Sequence, residues 1–205
     1  MLATAPTTST TPPPSTGLRP WRWTREQYYE LGKLGFFQGK RVELLYGEIV
    51  EMSPINWPHA LAVGLVSDAL ALAFPVGFYV SVQQPFAVPG SVPGSEPQPD
   101  VAVIPGSRRN YATHPDRAAI IVEVANTTFA TDSTTKAELY ATASILDYWL
   151  LDLERRQLHV FRDPVALPAG LGATAYRKHV TLAETDTASP LAAPTANIFV
   201  RDLLP

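Results

Sequence analysis

Two short apolar runs, Val101-Ala-Val-Ile104 and Ala119-Ile-Ile-Val-Glu-Val124, constrain this chain more than any other feature. Runs of this length without polar alternation belong to strands covered on both faces, so the chain must place layers on both sides of a sheet. Each run also carries a carboxylate. Asp100 opens the first directly after Pro99, and Glu123 interrupts the second. A carboxylate inside such a strand is costly unless it is paired or bound to a metal, so Glu123 needs a partner.

The rest of the chain supplies the layers. Thr24 and Gln27 make a capping box, and Trp23 can staple onto Tyr28, which predicts a helix from Arg25 to about Phe36 with Tyr28, Leu31 and Leu34 on its core face. Arg41 to Met52 reads as a β-hairpin turning at Tyr46-Gly47. His59 to Phe74 is almost wholly apolar and predicts a buried helix opened by Asn56 and Pro58. Phe78 to Val82 is a strand. Pro85 to Pro99 holds five prolines and two glycines, which predicts a long, stiff loop. A helix from about Ser133 to Ala143 precedes strands at Tyr148–Asp152 and Leu158–Arg162; a weaker strand at Tyr176–Leu182 and a short closing helix at Ile198–Leu204 complete the pattern. Helices flanking a mixed central sheet give an α/β (α+β) fold.

Composition narrows the domain count and the function classes. The 205 residues suffice for one domain, expected at 21–205, after a Thr- and Pro-rich tail at 1–20 that has no apolar periodicity and should stay mobile. The absence of cysteine removes disulfide scaffolds, thiolate nucleophiles and zinc-thiolate sites, and with no secretory signal pattern it points to a cytoplasmic protein. No segment is long and apolar enough for a transmembrane helix, so no membrane role is expected. The formal net charge of −3 lacks the electrostatic footprint of a committed duplex-DNA binder. No Rossmann or P-loop glycine pattern, serine elbow or pair of histidines at i, i+4 is present.

If the strands bearing Asp100 and Glu123 pair at one level, the two carboxylates and a backbone carbonyl form a hard oxygen site suited to Mg²⁺ or Mn²⁺. A strand-capping aspartate and a salt-bridged glutamate explain the same residues, and residue type leaves both readings open. Lys136, four residues after Asp132, fits an i, i+4 ion pair with Asp132 as the helix N-cap, or a side chain reaching towards the metal site. Glu43 and Glu48 lie on the hairpin, where solvated faces are the default, and His59 at a helix start is more often a cap than a base. The basic pairs Arg108-Arg109, Arg155-Arg156 and Arg177-Lys178 are scattered and form no stripe.

In order and spacing, several segments resemble the Uma-two family of bacterial endonuclease-like proteins, which is similar in fold to the PD-(D/E)xK restriction-endonuclease-like superfamily. They are Val42-Glu-Leu-Leu-Tyr-Gly-Glu-Ile-Val50 with Met52-Ser-Pro54, Ser95-Glu-Pro-Gln-Pro-Asp-Val-Ala-Val103, Ile121-Val-Glu-Val-Ala125, Asp132 with Lys136 and Tyr140, and Asp147-Tyr-Trp-Leu-Leu-Asp152. The resemblance spans about Thr24 to Leu204. It implies a restriction-endonuclease-like sheet in which Asp100 and Glu123 bind the metal and Glu43 adds a carboxylate. Ala125 stands where the motif lysine is usual, and Lys136 from the following helix is implied as its substitute. Gln98 departs from an expected glutamate before Pro99-Asp100, which would alter charge at the mouth of the site; Ser144 and Leu146 replace a usual glycine and proline.

The expected function is Mg²⁺-dependent hydrolysis of phosphodiester bonds in DNA. The alternative is a nuclease-like binding or regulatory module without turnover, and a metal-free acid/base pair is a weaker third. A domain cutting both strands would gain from a twofold homodimer, with the segment Tyr148–Leu153 as a place for the contact.

Overall fold

A computed structural model describes residue 17 and residues 19–91, 93–166 and 174–205. The tail expected at 1–20 lies almost wholly outside the described residues.

The core is a mixed sheet of β3 (Phe78–Val82), β4 (Val101–Pro105), β5 (Ile120–Ala125), β6 (Asp147–Asp152), β7 (Gln157–Ala166) and β8 (Thr174–Ala183), in that spatial order. All neighbours are antiparallel except β5 and β6, which run parallel. The apolar runs behave as their composition requires: Val101 to Ile104 and Ile120 to Ala125 are buried on both faces. On one face Val101, Val103, Val122 and Val124 pack against Val66 and Leu70 of α2 (Trp57–Ala73). On the other, Ala102, Ile104, Ile121 and Ala125 pack against Leu139 and Tyr140 of α4 (Ala137–Thr142).

A parallel pair cannot be joined by a tight turn and needs a crossover. Here the crossover between β5 and β6 is helical: α3 (Phe129–Thr131), one π turn at Asp132–Lys136, then α4. A π turn inserts a residue into the helical ladder and re-aims the side chains around it. Asp132 and Lys136 both lie on it and both are buried. Helix begins earlier than the sequence predicts, so Asp132 sits inside it and is not its N-cap.

At the N-terminus, the capping box of Thr24 and Gln27 forms, and Trp23 packs against the cluster of Tyr28, Val42 and Leu44. Helix α1 (Arg25–Lys33) stops at Leu34, which is exposed and not part of the core face. The hairpin of β1 (Val42–Leu45) and β2 (Glu48–Glu51) turns through Tyr46 and Gly47, both at positive φ. A Cβ on Gly47 would meet Pro93 Cγ at 2.5 Å and Arg22 Cβ at 2.9 Å, with Trp23 O at 3.1 Å. Gly47→Ala therefore combines a strained φ of 75° with backbone and ring clashes. It should lower stability by about 1–3 kcal/mol, read from the urea unfolding midpoint; an unchanged midpoint would contradict this packing.

Three expectations need correction. Helix α2 buries only one side, with Leu72 83% exposed, so its apolar composition does not make it an interior helix. Tyr148–Leu153 offers no sheet edge for a partner, because β6 is hydrogen-bonded to β5 and β7 and buried throughout. The closing segment is a short strand β10 (Ile198–Phe199), paired with β9 (Thr187–Ala188), followed by one 3₁₀ turn at Val200–Leu203. Among the described residues, no helix is long and apolar enough to cross a membrane.

Candidate active site

The register of β4 on β5 pairs Val101 with Val122, and one step further along this antiparallel ladder Asp100 stands opposite Glu123. Opposed residues of such a pair share a face, so the two carboxylates come together at the strand end. Asp100 N donates to Glu123 Oε2 at 3.3 Å, and Val124 N donates to Asp100 Oδ2 at 2.9 Å.

The crossover helix completes the cluster. Lys136 Nζ lies 3.1 Å from Glu123 Oε1, 3.3 Å from Glu43 Oε1 and 3.8 Å from Asp132 Oδ1. Tyr140, one turn on, donates its hydroxyl to Glu123 Oε1 at 2.6 Å. Thr128 donates its hydroxyl to Asp132. From α2, His59 Nε2 is 3.2 Å from Asp100 Oδ2, and from the end of the neighbouring strand β3, Gln83 Nε2 donates to Asp100 Oδ1 at 3.1 Å. Asp100, Glu123, Lys136 and Glu43 are thus brought to one place, a cleft of about 240 Å³ that Asp132 and His59 also line. Glu48 is not there: it is exposed and pairs with Arg22.

The loop from Pro85 to Pro99 is held rigidly where it delivers Asp100. Leu44 and Glu96 exchange backbone hydrogen bonds, and Phe86 N donates to Pro97 O at 2.9 Å. The buried Glu96 carboxylate accepts from Arg25 Nε at 2.6 Å and bonds Tyr29 and His114. Gln98 takes up the departure from the expected glutamate in a structural way. Its backbone N–H donates to Glu43 Oε2 and its side-chain amide donates to Val42 O at 2.8 Å. A glutamate carboxylate would oppose that carbonyl, acceptor against acceptor.

Glu43, Asp100, Glu123 and Asp132 are all at most 6% exposed and pair with only one lysine and one histidine. This excess of negative charge shows in the titration of the groups. Burial raises Glu123 well above the ordinary glutamate value; Lys136 opposes the rise, while Asp100, Asp132 and Glu43 add to it. Burial raises Asp132 as well. Burial alone would lower Lys136, but the surrounding carboxylates outweigh it and hold the ammonium above the usual lysine value. Asp100 behaves differently. Burial pushes it up, yet the bond and charge of His59, the Val124 amide and Gln83 bring it below the usual value. The hydrogen bond to Asp100 raises His59 in turn, against its own burial.

An oxygen donor set with surplus negative charge matches the chemistry of a hard divalent cation such as Mg²⁺ or Mn²⁺. Among the described residues, no three His, Asp or Glu side chains stand ready to hold a metal ion, and Lys136 lies between Glu123, Glu43 and Asp132. Both the ion pair and the convergent carboxylates read from the sequence are therefore present together. Sequence reasoning missed Arg41 and Gln83 in the cleft; neither carries a local signal, since each is a polar residue beside a strand.

The chain is thus a mixed sheet with helices on both faces, with Asp100 immediately before β4 beside Glu123 within β5. Residues 25–198 match the Uma2 family, described as "Putative restriction endonuclease", and the chain belongs to that family. The fold is shared with a structure described as a putative nuclease of the DUF820 family from Anabaena variabilis ATCC 29413. The TM-score is 0.66 and the identity 15%, over 88% of this chain and 96% of that one. No curated protein sequence matches the chain.

Proposed function

We propose that this protein is a metal-dependent endonuclease that hydrolyses phosphodiester bonds in DNA. The observation that carries the reading is the convergence of Asp100, Glu123 and Glu43 with Lys136 in one cleft. Asp100 and Glu123 would hold the ion, and Glu43 would add a third carboxylate. A bound Mg²⁺ or Mn²⁺ supplies Lewis acidity and a water of lowered pKa.

The chain's own residues do the rest. His59 and the Val124 amide keep Asp100 ionised and oriented. Tyr140 and the Asp100 amide fix the Glu123 carboxylate. Lys136 brings a permanent positive charge to the place where negative charge develops on phosphate oxygens in the transition state. It takes the part of the lysine absent at Ala125.

A second reading, a binding module without turnover, is favoured by one observation: Lys136 already pairs with Glu123, Glu43 and Asp132 without an ion. Incubation of the pure protein with plasmid and single-stranded DNA at low salt separates the two. Cleavage in Mg²⁺ or Mn²⁺ that EDTA abolishes is expected. Intact DNA in both metals would leave the binding module.

A further inference from the structure

Four features of the cleft and the surface around it bear on the form of nucleic acid that fits. The four carboxylates are at most 6% exposed and lie within a cleft of about 240 Å³. A duplex is stiff over roughly 50 nm and carries its phosphates on a wide rod, so a recessed site of this size receives them poorly. An unpaired strand can bend a single phosphate inwards.

Arg41 lines the same cleft, half-buried. Among the described residues its guanidinium has no ion pair and no side-chain hydrogen bond, although five carboxylates line the cleft. A guanidinium left unpaired in such company has its planar donors free for an incoming anion, and a phosphate matches them in a bidentate way.

Apolar residues form another part of the cleft wall: Val50, Met52, Pro54 and Ile55. Trp57 follows two residues after Ile55 at the start of α2 and is 75% exposed. Its chain neighbours Asn56 and His59 line the cleft, and large exposed aromatics are a usual platform for nucleobases, because every base offers a π-face. Several other basic side chains are already engaged within the protein. Arg155 is tied to Asp152, Arg156 to Glu184 and Arg177 to Asp163, and Arg108 donates to Val80 O over the Tyr79 ring.

We propose that the cleft takes a single unpaired DNA strand in preference to duplex, with a phosphate on Arg41 and a base stacked on Trp57. The proposal rests on the nuclease reading for the identity of the ligand as a phosphodiester, and it deepens that reading by naming the form of the substrate. Affinity would come mainly from stacking and few phosphates. The salt dependence of binding should therefore be shallow, with a slope of about −0.7 for each phosphate held.

The test is fluorescence anisotropy of the full chain with a labelled oligodeoxythymidylate and with a duplex of equal length. Ca²⁺ replaces Mg²⁺ so that binding is read without turnover. Single-strand binding at least about tenfold tighter than duplex is expected. Trp57→Ala should weaken it about tenfold and Trp57→Phe less; since Trp57 is exposed, both variants should keep the wild-type circular dichroism. Arg41→Ala should weaken it by a similar factor and reduce the salt slope by about 0.7, with Arg41→Lys in between. Equal or tighter duplex binding, or an unchanged affinity in Trp57→Ala, would overturn the proposal. Cleavage in Mg²⁺ is a separate readout. Tight single-strand binding without cutting supports the strand site and defeats the nuclease reading, whereas duplex cutting with no single-strand preference does the reverse.

Discussion

Lys136→Ala should destabilise the metal-free protein by about 3–5 kcal/mol at pH 8, the range for removing one partner from a buried charge cluster. Lys136 is 6% exposed, and its ammonium is the shared counter-ion of Glu123, Glu43 and Asp132. Without it, four buried carboxylates share the cleft with His59, which bonds Asp100, and Arg41, which pairs with none of them. The variant should recover in two ways that a loss of packing would not allow. Acid is one. Glu123 and Asp132 already have folded values above their ordinary 4.5 and 3.8, and without the ammonium those values rise further. A raised carboxyl contributes stability below its unfolded value and loses it as pH rises through its folded value. The gap between variant and wild type should therefore narrow as pH falls from 8 to about 5. Lys136 itself adds no slope in that window, because its folded value is raised and its contribution is complete below its ordinary 10.5.

Divalent cation is the other route. An ion that binds only the folded state stabilises by about 2.7 kcal/mol at a hundredfold excess over its dissociation constant. Mg²⁺ should raise the melting temperature of Lys136→Ala more than that of wild type. Urea unfolding in EDTA at pH 8 with no difference between the two proteins would show that Lys136 is not the counter-ion.

Glu123→Gln separates catalysis from stability. In Mg²⁺ it should lower the cleavage rate at least about 1,000-fold, or roughly 4 kcal/mol of barrier, because a neutral amide is a poor ligand for a hard cation. In EDTA the same variant should be as stable as wild type or more stable at pH 8. Gln keeps an acceptor for Tyr140 and Lys136 and loses chiefly the longest bond, the 3.3 Å contact with the Asp100 amide. It also removes the charge that Asp100, Asp132 and Glu43 oppose. The sign follows from the raised Glu123 value. Glutamine imitates the protonated acid, so the advantage of the variant should grow as pH rises and vanish towards pH 4. A variant clearly less stable than wild type in EDTA at pH 8 would mean that Glu123 serves mainly as the structural partner of Lys136.

The pairing of Asp100 with Glu123 was legible because both interrupt or open apolar runs whose neighbours have nowhere to go but a sheet interior. Lys136 was legible as a candidate from its place after Asp132, but its i, i+4 spacing favours an ion pair with Asp132, and only the family resemblance made the site role the preferred one. The ion pair exists, but it is buried and shared with Glu43 and Glu123. What turned both side chains inwards is the π turn, and no local propensity announces one. Arg41 and Gln83 were missed for a related reason: their roles come from the segments they face across the cleft.

Local chemistry, then, was written in the sequence. The capping box at Thr24, the two-residue turn at Gly47 and the doubly buried strands each depend on residues a few places apart, where sterics and burial act directly. Only the tertiary structure decided the rest. Parallel pairing of β5 with β6 forces the crossover that carries Lys136 to Glu123, and it also turns Tyr148–Leu153 from a candidate edge into the centre of the sheet. The excess of carboxylates over cations in the cleft is likewise a sum over α2, β1, β4, β5 and the crossover helix. Coulomb interactions in a buried site depend on distances across the fold, and those distances are set by packing.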